Sequence, residues 1–252
     1  MSLQARKLPA ARGFYWLSGG FRLWRSNPLA LSMTTLFGLS LSLLIGSIPW
    51  LGSLIICLLV PFVDAILLRV CHALTQGGRP DPRTWRAALE RNARSLLILG
   101  LVMFVMLSLS QALSGWVAGD DVERTLSDAA NASAPMPANV LWAALIYVLC
   151  ASVLSVIMWI APMLSAYADV PPFKSLVFSI IACWRNKGAF LVFGLVLVSL
   201  SIPLSLVLLA GPGGQILASA LVFGLLMPVC AASNYLSVSD IFGALPGLVD
   251  AD

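Results

Sequence analysis

The residue best placed to do chemistry is Asp64, an acid inside a long apolar stretch, three positions after Pro61. An acid at the bilayer centre costs about 2.5–3.5 kcal/mol to insert, so it is a functional candidate. Proline removes one helical hydrogen bond and frees a carbonyl one turn earlier. An acid beside such a carbonyl suits a bound cation or a proton relay. Alternatively, Asp64 lies in the inner leaflet and pairs with a base such as Arg69 or Arg25.

Other reactive groups are scarce. The chain has one histidine, His72, and five cysteines that form no C-x-x-C pair, so a zinc site is not expected. No P-loop, dinucleotide fingerprint or G-x-S-x-G nucleophile is present. We therefore predict no enzyme activity, no catalytic residue, no metal and no cofactor.

The element that must position Asp64 is a membrane-spanning helix. Hydrophobic residues make up 60% of the chain and charged residues 10%, whereas soluble domains have about 45–50% and 25%. A span needs about 20 apolar residues. We predict an all-α membrane protein with a six-helix transmembrane domain over residues 28–236. Its spans are residues 28–48, 51–74, 95–118, 138–168, 188–210 and 214–236.

The basic residues predict the direction of the spans. Of the 15 lysines and arginines, five precede the first span, and six lie between position 69, near the end of the second span, and the start of the third. Three more separate the fourth span from the fifth. Arg124 alone lies in the acidic loop 119–137. By the positive-inside rule, the N-terminus (1–27) and the tail (237–252) are cytoplasmic, and loop 119–137 is external. Because these charges sit in short loops, we expect the lipid bilayer as partner and no nucleic acid.

A pattern recurs three times along the chain. A basic, amphipathic stretch ends in asparagine (Asn27, Asn92, Asn186), a span follows, and the next span contains one proline (Pro61, Pro162, Pro228). This predicts three αα-hairpin repeats, the second carrying the external loop. The alternative is coincidence, because helix starts at a membrane surface favour asparagine and arginine for capping and topology.

The stretches before the asparagines predict short interfacial helices. Near the N-terminus, Phe14, Leu17, Phe21 and Trp24 form one stripe; after Pro172 the stripe is Phe173, Leu176, Val177, Ile180, Ile181 and Trp184, with Ser175 and Ser179 off it. Such helices lie aromatic side down with bases among the head groups. They serve either lipid or partner sensing or simple anchoring. Candidate head-group contacts are Arg22, Trp24, Arg25, Trp85, Arg91, Trp184 and Arg185.

The chain also resembles a known family. The segments Gln4-Ala5-Arg6-Lys7 and Gly20-Phe21-Arg22-Leu23-Trp24-Arg25-Ser26-Asn27-Pro28 are similar to the start of an uncharacterised proteobacterial inner-membrane protein family. Ala161-Pro162-Met163, Asp169-Val170-Pro171-Pro172 and Trp184-Arg185-Asn186 fit the same family. The chain is more distantly similar to the membrane domain associated with glycerophosphodiester phosphodiesterases. The resemblance implies a bacterial inner membrane and six helices, and it transfers no catalytic residue.

Two functions follow as hypotheses. The first is an accessory or scaffold subunit that binds lipids, a membrane-protein partner or a second copy, helped by small residues (Gly38, Ser40, Ser42, Gly46) that permit close helix approach. The second is a small transporter or channel in which Pro61, Pro162 and Pro228 surround a central path with Asp64 as its polar site.

Overall fold

The computed structural model describes residues 4–49, 51–79, 81–119, 137–208, 211–243 and 245, and within them it is helical, without strands. Most of the predicted loop 119–137 and most of the tail beyond residue 243 lie outside the described residues. The helices are α1 (Arg12–Ser26), α2 (Pro28–Gly46), α3 (Gly52–Thr75), α4 (Pro82–Ala118), α5 (Ala138–Met158), α6 (Ala161–Tyr167), α7 (Pro172–Arg185), α8 (Lys187–Leu208), α9 (Gly211–Leu221) and α10 (Met227–Phe242), with a π-helical turn (Val222–Leu226) between α9 and α10.

The six predicted spans are confirmed in number. Six helical segments of the described chain are long and apolar enough to cross a membrane: Pro28–Gly46, Gly52–Thr75, Leu89–Ala118, Ala138–Tyr167, Lys187–Val207 and Gly211–Phe242. The chain is therefore a multi-pass membrane protein. We call the end that carries α1, the α3–α4 turn and α7 the basic end. The end that carries the α2–α3 and α8–α9 turns is the opposite end.

Three spans differ from their predicted limits. The third does not follow a separate interfacial helix, because α4 runs unbroken for 37 residues from Pro82. The fourth is not continuous to residue 168; it breaks after Met158 and resumes as α6. The sixth extends to Phe242 and contains the π-helical turn.

Helix α1 is bound to the bundle through two glycines. A Cβ built on Gly13 would lie 2.0 Å from the Ala189 carbonyl oxygen of α8, and one on Gly20 would lie 2.7 Å from the Val229 carbonyl oxygen of α10. The packing face is thus Gly13, Trp16, Leu17 and Gly20. Of the predicted stripe, Leu17 is buried in this packing face, whereas Phe14 and Phe21 lie outside it and are exposed. A sequence pattern of large apolar residues does not reveal a face that packs through glycine.

Polar contacts add to this attachment. The Arg12 guanidinium is paired with both carboxylate oxygens of Asp240, its Nε lying 2.7 Å from Oδ2. The Trp16 indole N–H donates to the same Oδ2 at 2.8 Å. Arg12, which the charge count treated only as a topology signal, therefore also joins α1 to the end of α10.

Helix α7 has its apolar face outward. Phe173, Val177, Ile180, Ile181 and Trp184 are exposed, whereas Ser175 and Ser179 are fully buried. The Ser165 hydroxyl donates to the Ser175 hydroxyl oxygen at 3.0 Å, which ties α6 to α7 through polar groups. An outward apolar face is stable only where the surroundings are themselves apolar, as they are in a bilayer.

The main buried core lies near the basic end, where α1, α3, α6 and α10 meet. Trp16, Leu68, Leu164, Val238 and Ile241 belong to it. The N-terminal segment closes this core: the Leu8 N–H donates to Asn186 Oδ1 at 2.8 Å. Asn186 in turn donates to the Arg6 carbonyl oxygen at 3.0 Å.

Candidate functional site

Asp64 lies in a cleft between α2 and α3. The cleft has a volume of about 210 Å³ and is lined by Thr35, Gly38, Leu39, Leu41, Ser42, Leu59, Val60, Val63, Asp64, Phe223 and Met227. Because Asp64 is near the middle of the 24-residue α3, it lies about 17 Å from either end of the helix. Asp64 is therefore about midway between the two ends of the second span.

The expected pairing of Asp64 with a base is not observed. Within the described residues, its carboxylate makes no ion pair or hydrogen bond with Arg69, Arg25 or any other side chain. Arg69 itself is only 3% exposed and belongs to the buried core side of α3. The described bundle therefore leaves the Asp64 carboxylate facing the cleft.

The carbonyl freed by Pro61 does not join Asp64. Pro61 has no N–H to donate to Cys57, its acceptor in an uninterrupted helix. The Cys57 carbonyl oxygen faces α4 instead, where a Cβ built on Gly100 would lie 2.6 Å away. Close packing by Gly100 covers this carbonyl. The freed carbonyl therefore does not lie beside the Asp64 carboxylate, as the sequence had suggested.

Pro228 frees the carbonyl of Gly224 in the π-helical turn. The Ser32 hydroxyl of α2 donates to this carbonyl oxygen at 2.7 Å. Ser32 in turn accepts from the Trp24 indole N–H at 3.0 Å. Trp24, predicted as a head-group contact, therefore directs its polar atom into the bundle and stabilises the π-helical turn through Ser32.

Pro162 follows the break between α5 and α6. There the Ser179 hydroxyl of α7 donates to the Val156 carbonyl oxygen at 2.9 Å and accepts from the Ile160 N–H at 3.2 Å. The Cys183 thiol approaches the same carbonyl at 3.7 Å. Burial raises the pKa of the Cys183 thiol to about 12, with the Ser179 hydrogen bond opposing this. Cys183 is therefore a neutral packing residue and a poor nucleophile.

The three prolines do not line one path. None of Pro61, Pro162 and Pro228 lines the Asp64 cleft, and all three are buried. At each break, a side chain or a close glycine from a neighbouring helix covers the interrupted backbone. This is how membrane helices tolerate proline. The prolines therefore lie outside the Asp64 cleft, whose polar side chains are Thr35, Ser42 and Asp64.

A second cavity, which we call the α1 groove, lies beneath α1. It has a volume of about 550 Å³ and is lined by Phe14, Leu17, Ser18, Phe21, Val196, Leu200, Pro203, Leu204, Val207, Leu221, Leu225, Leu226 and Val229. Ser18 is the one polar side chain of that lining. Sequence reasoning missed this groove, since its walls come from three distant segments.

Five of the seven predicted head-group residues lie at the surface near the basic end. Arg22, Arg25, Arg91 and Arg185 are exposed. Trp184 is 73% exposed, and the Lys187 ammonium lies 5.2 Å from its ring centroid. The side chain of Trp85 lies outside the described residues. These positions are geometrically compatible with contact to lipid head groups.

A buried polar cluster near the end of α3 was also missed. His72 Nδ1 lies 3.2 Å from the Tyr235 hydroxyl, which is 3.0 Å from the Thr75 hydroxyl. His72 is 8% exposed. The cluster joins α3 to α10. No group of three or more His, Cys, Asp or Glu side chains suitable for a metal occurs among the residues described by the structure.

Comparison with known proteins gives one informative relative. A protein of Burkholderia thailandensis named as a probable inner membrane protein is 29% identical over 211 residues, covering 81% of this chain and 78% of the relative. No family model matches the sequence. No solved structure matches it. The chain is thus similar along most of its length to a protein named for the inner membrane, and the phosphodiesterase-associated domain predicted from the sequence is not among these findings.

Proposed function

We propose that this protein is a non-enzymatic inner-membrane protein that holds a phospholipid in the α1 groove, as an accessory component of the membrane. The observation that carries the proposal is the groove itself, apolar along its length and bordered by basic residues of α1. No nucleic-acid partner is proposed, because the lysine and arginine side chains are expected at the membrane surface. The named relative from Burkholderia thailandensis supports the choice of membrane.

The size of the groove suits one acyl chain. Its α8 wall runs from Val196 to Val207, which spans about 16 Å along the helix axis. Half of a hydrocarbon core about 30 Å thick is similar in length. The α8 wall begins about 14 Å from Lys187 at the basic end and continues to the last turn of α8, so a chain that enters beside α1 extends past the middle of the span toward the opposite end.

The charge beside the groove favours an anionic head group. Phe14, Ser18 and Phe21 line the groove from α1, and Arg25 continues the same face one turn further. Arg22 is adjacent, and both arginines are exposed. An acyl chain gains little by leaving other acyl chains, because lipid is as apolar as leucine. Selectivity must therefore come from the net negative charge of the head group, at about 1 kcal/mol per basic residue.

We expect groove-filling substitutions to displace the bound lipid. Leu200→Trp and Leu204→Trp place an indole inside the groove, whereas Leu195→Trp places one on an exposed part of α8 outside the lining. The variants are purified from vesicles of phosphatidylethanolamine and phosphatidylglycerol, and retained phosphatidylglycerol is counted by native mass spectrometry. Leu200→Trp and Leu204→Trp should lose it, and Leu195→Trp should retain it.

The preference for an anionic head group is tested with the variant Arg25→Gln. Loss of about 1 kcal/mol predicts a roughly fivefold weaker preference for phosphatidylglycerol over phosphatidylethanolamine. Equal lipid retention by Leu200→Trp, Leu204→Trp and Leu195→Trp would contradict the groove as the binding site. An unchanged preference in Arg25→Gln would contradict the role of the arginine.

We further propose that the basic end faces the cytoplasm, with both termini on that side. The positive-inside rule supports this orientation. A cysteine introduced at Ser47, in the turn after α2, should react with a membrane-impermeant maleimide added outside intact spheroplasts, and one at Gly78 should react only after lysis. The opposite labelling pattern would reverse the orientation.

Finally, we propose that the bundle consists of three related αα-hairpins, α2–α3, α4–α6 and α8–α10, with α1 and α7 as interfacial helices. The order of the helices supports this division. The outward apolar face of α7 supports its position in the interface. The anchoring and lipid-sensing roles then coincide in α1, because the helix that holds the basic end together also forms the groove.

A further inference from the structure

The Asp64 cleft offers hydrogen-bond acceptors from its three polar side chains. The Thr35 hydroxyl donates to the Leu31 carbonyl oxygen at 2.5 Å, and the Ser42 hydroxyl donates to the Gly38 carbonyl oxygen at 2.9 Å. Both hydroxyl protons are therefore used within α2, and only their oxygen lone pairs remain for the cleft. Together with the Asp64 carboxylate, these oxygens suit an occupant that donates several hydrogen bonds.

The helix that forms the outer wall of the cleft is almost uncovered. Leu31 is the single buried residue of α2. The small residues that the sequence suggested for an outside partner are partly used within the chain, because Gly38 packs against Val63 and Gly46 against Ile56 of α3. Further from α3, Phe37, Leu43 and Leu44 are exposed. The outer face of α2 therefore has room for another helix.

We infer that the cleft between α2 and α3 binds a transmembrane helix of a different protein, through a lysine at the depth of Asp64. An ammonium has three N–H donors, which matches the carboxylate of Asp64 and the hydroxyl oxygens of Thr35 and Ser42. A charge pair between helices offsets the cost of each isolated charge in the bilayer. Charge complementarity is what selects this occupant.

A second copy of this chain does not supply a cation that could pair with Asp64 in the cleft. Among the described lysines and arginines, Arg69 of α3 is nearest in depth to Asp64, about 8 Å further along the helix axis, and it is only 3% exposed. Because Arg69 is buried within its own bundle, the described part of a second copy in the same orientation presents no exposed lysine or arginine at the depth of Asp64. A small cation is also a poor match, because such ions take six or more oxygen ligands when bound like Ca²⁺ or Mg²⁺ and this lining is mostly apolar.

The test uses a defined probe, a leucine- and alanine-rich transmembrane peptide with one central lysine and a photoreactive residue one turn away. The matched peptide has leucine in place of lysine. Each is reconstituted with the full-length protein in vesicles of phosphatidylethanolamine and phosphatidylglycerol, and the yield and position of crosslinks are measured. We expect the lysine peptide to crosslink to α2 and α3 roughly tenfold more than the leucine peptide.

Asp64→Asn keeps the size of the side chain and should reduce the ratio of lysine-peptide to leucine-peptide crosslinks to about one. Asp64→Glu should retain the lysine preference. The double variant Thr35→Val with Ser42→Ala should lower the preference without altering the carboxylate. Equal yields for both peptides with wild-type protein, or a lysine preference that survives Asp64→Asn, would overturn the inference. So would Asp64-dependent thermal stabilisation by Na⁺ without any lysine preference, which would assign the cleft to a cation. Lipid retention in the α1 groove is an independent measurement, so it separates this inference from the proposed function.

Discussion

Replacing Gly13 by alanine is expected to separate α1 from α8 and to destabilise the whole basic end. The added Cβ would lie 2.0 Å from the Ala189 carbonyl oxygen and 2.8 Å from the Phe193 nitrogen. Both are backbone atoms, which cannot rotate aside as a flexible side chain can. Overpacking of this kind costs about 1–3 kcal/mol, equivalent to a fall of roughly 2–12 °C in the unfolding midpoint for a chain of this size.

The control is the same substitution where the helix has space. A Cβ on Gly194, in the middle of α8, meets no atom within 4 Å. Alanine is a better helix former than glycine by about 1 kcal/mol, so Gly194→Ala should leave stability unchanged or raise it slightly. One chemical change thus has opposite effects at two sites, and thermal unfolding in detergent measures both.

A second readout reports whether the effect is local. If α1 leaves its place, trypsin should cleave after Arg22 and Arg25 faster in Gly13→Ala than in wild-type protein. Phosphatidylglycerol retention should fall as well, because α1 forms one wall of the groove. Equal midpoints and equal cleavage rates for Gly13→Ala and Gly194→Ala would show that the α1–α8 contact does not stabilise the fold.

Hydropathy predicted the spans well because the bilayer imposes one strong condition on each of them. A segment must be about 20 residues long and apolar, whatever its neighbours are. The basic residues obey a similarly local rule. For this reason the number of spans could be derived without knowing a single helix–helix contact.

The contacts between helices could not be derived in the same way. The sequence displays Pro61, Pro162 and Pro228 as three equivalent signals. The structure covers their breaks with different groups: a close glycine for the first, Ser179 for the second, and Ser32 for the third. Glycine and serine are common in membrane helices, so these partners have no distinctive pattern. These covering groups come from distant parts of the chain, so the spacing around each proline could not predict them.

The three asparagines show the same limit, and they lead to the second large prediction. Each precedes or lies within a helix in a similar sequence setting, yet their contacts differ. Asn27 accepts from the Ala30 N–H at 3.1 Å and caps α2. Asn92, inside α4, donates to the Ala166 carbonyl oxygen at 3.0 Å and to Asp169 Oδ1 at 2.9 Å. Asn186 binds the N-terminal segment and is only 1% exposed.

Asn186→Ala should therefore be far more damaging than Asn27→Ala. The change removes the acceptor of the Leu8 N–H and the donor to the Arg6 carbonyl. Loss of partners for buried or half-buried backbone groups costs about 2–3 kcal/mol in total. Loss of a helix cap at Asn27 costs about 1 kcal/mol. Hydrogen exchange at residues 6–8 should accelerate in Asn186→Ala and remain unchanged in Asn27→Ala.

Asn92→Ala provides the intermediate case, because it removes two bonds between α4 and the end of α6 without touching the N-terminal segment. The thermal unfolding midpoint of this variant should fall, while amide hydrogen exchange at residues 6–8 stays as in wild-type protein. If all three substitutions lowered the midpoint equally, the asparagines would share one capping role, as expected of unmodified copies of a hairpin. If only Asn186→Ala loosened residues 6–8, the third position would have acquired a separate task. Asn186 would then join the N-terminal segment to the α7–α8 junction. This junction lies beside the start of α1, the helix that forms one wall of the groove.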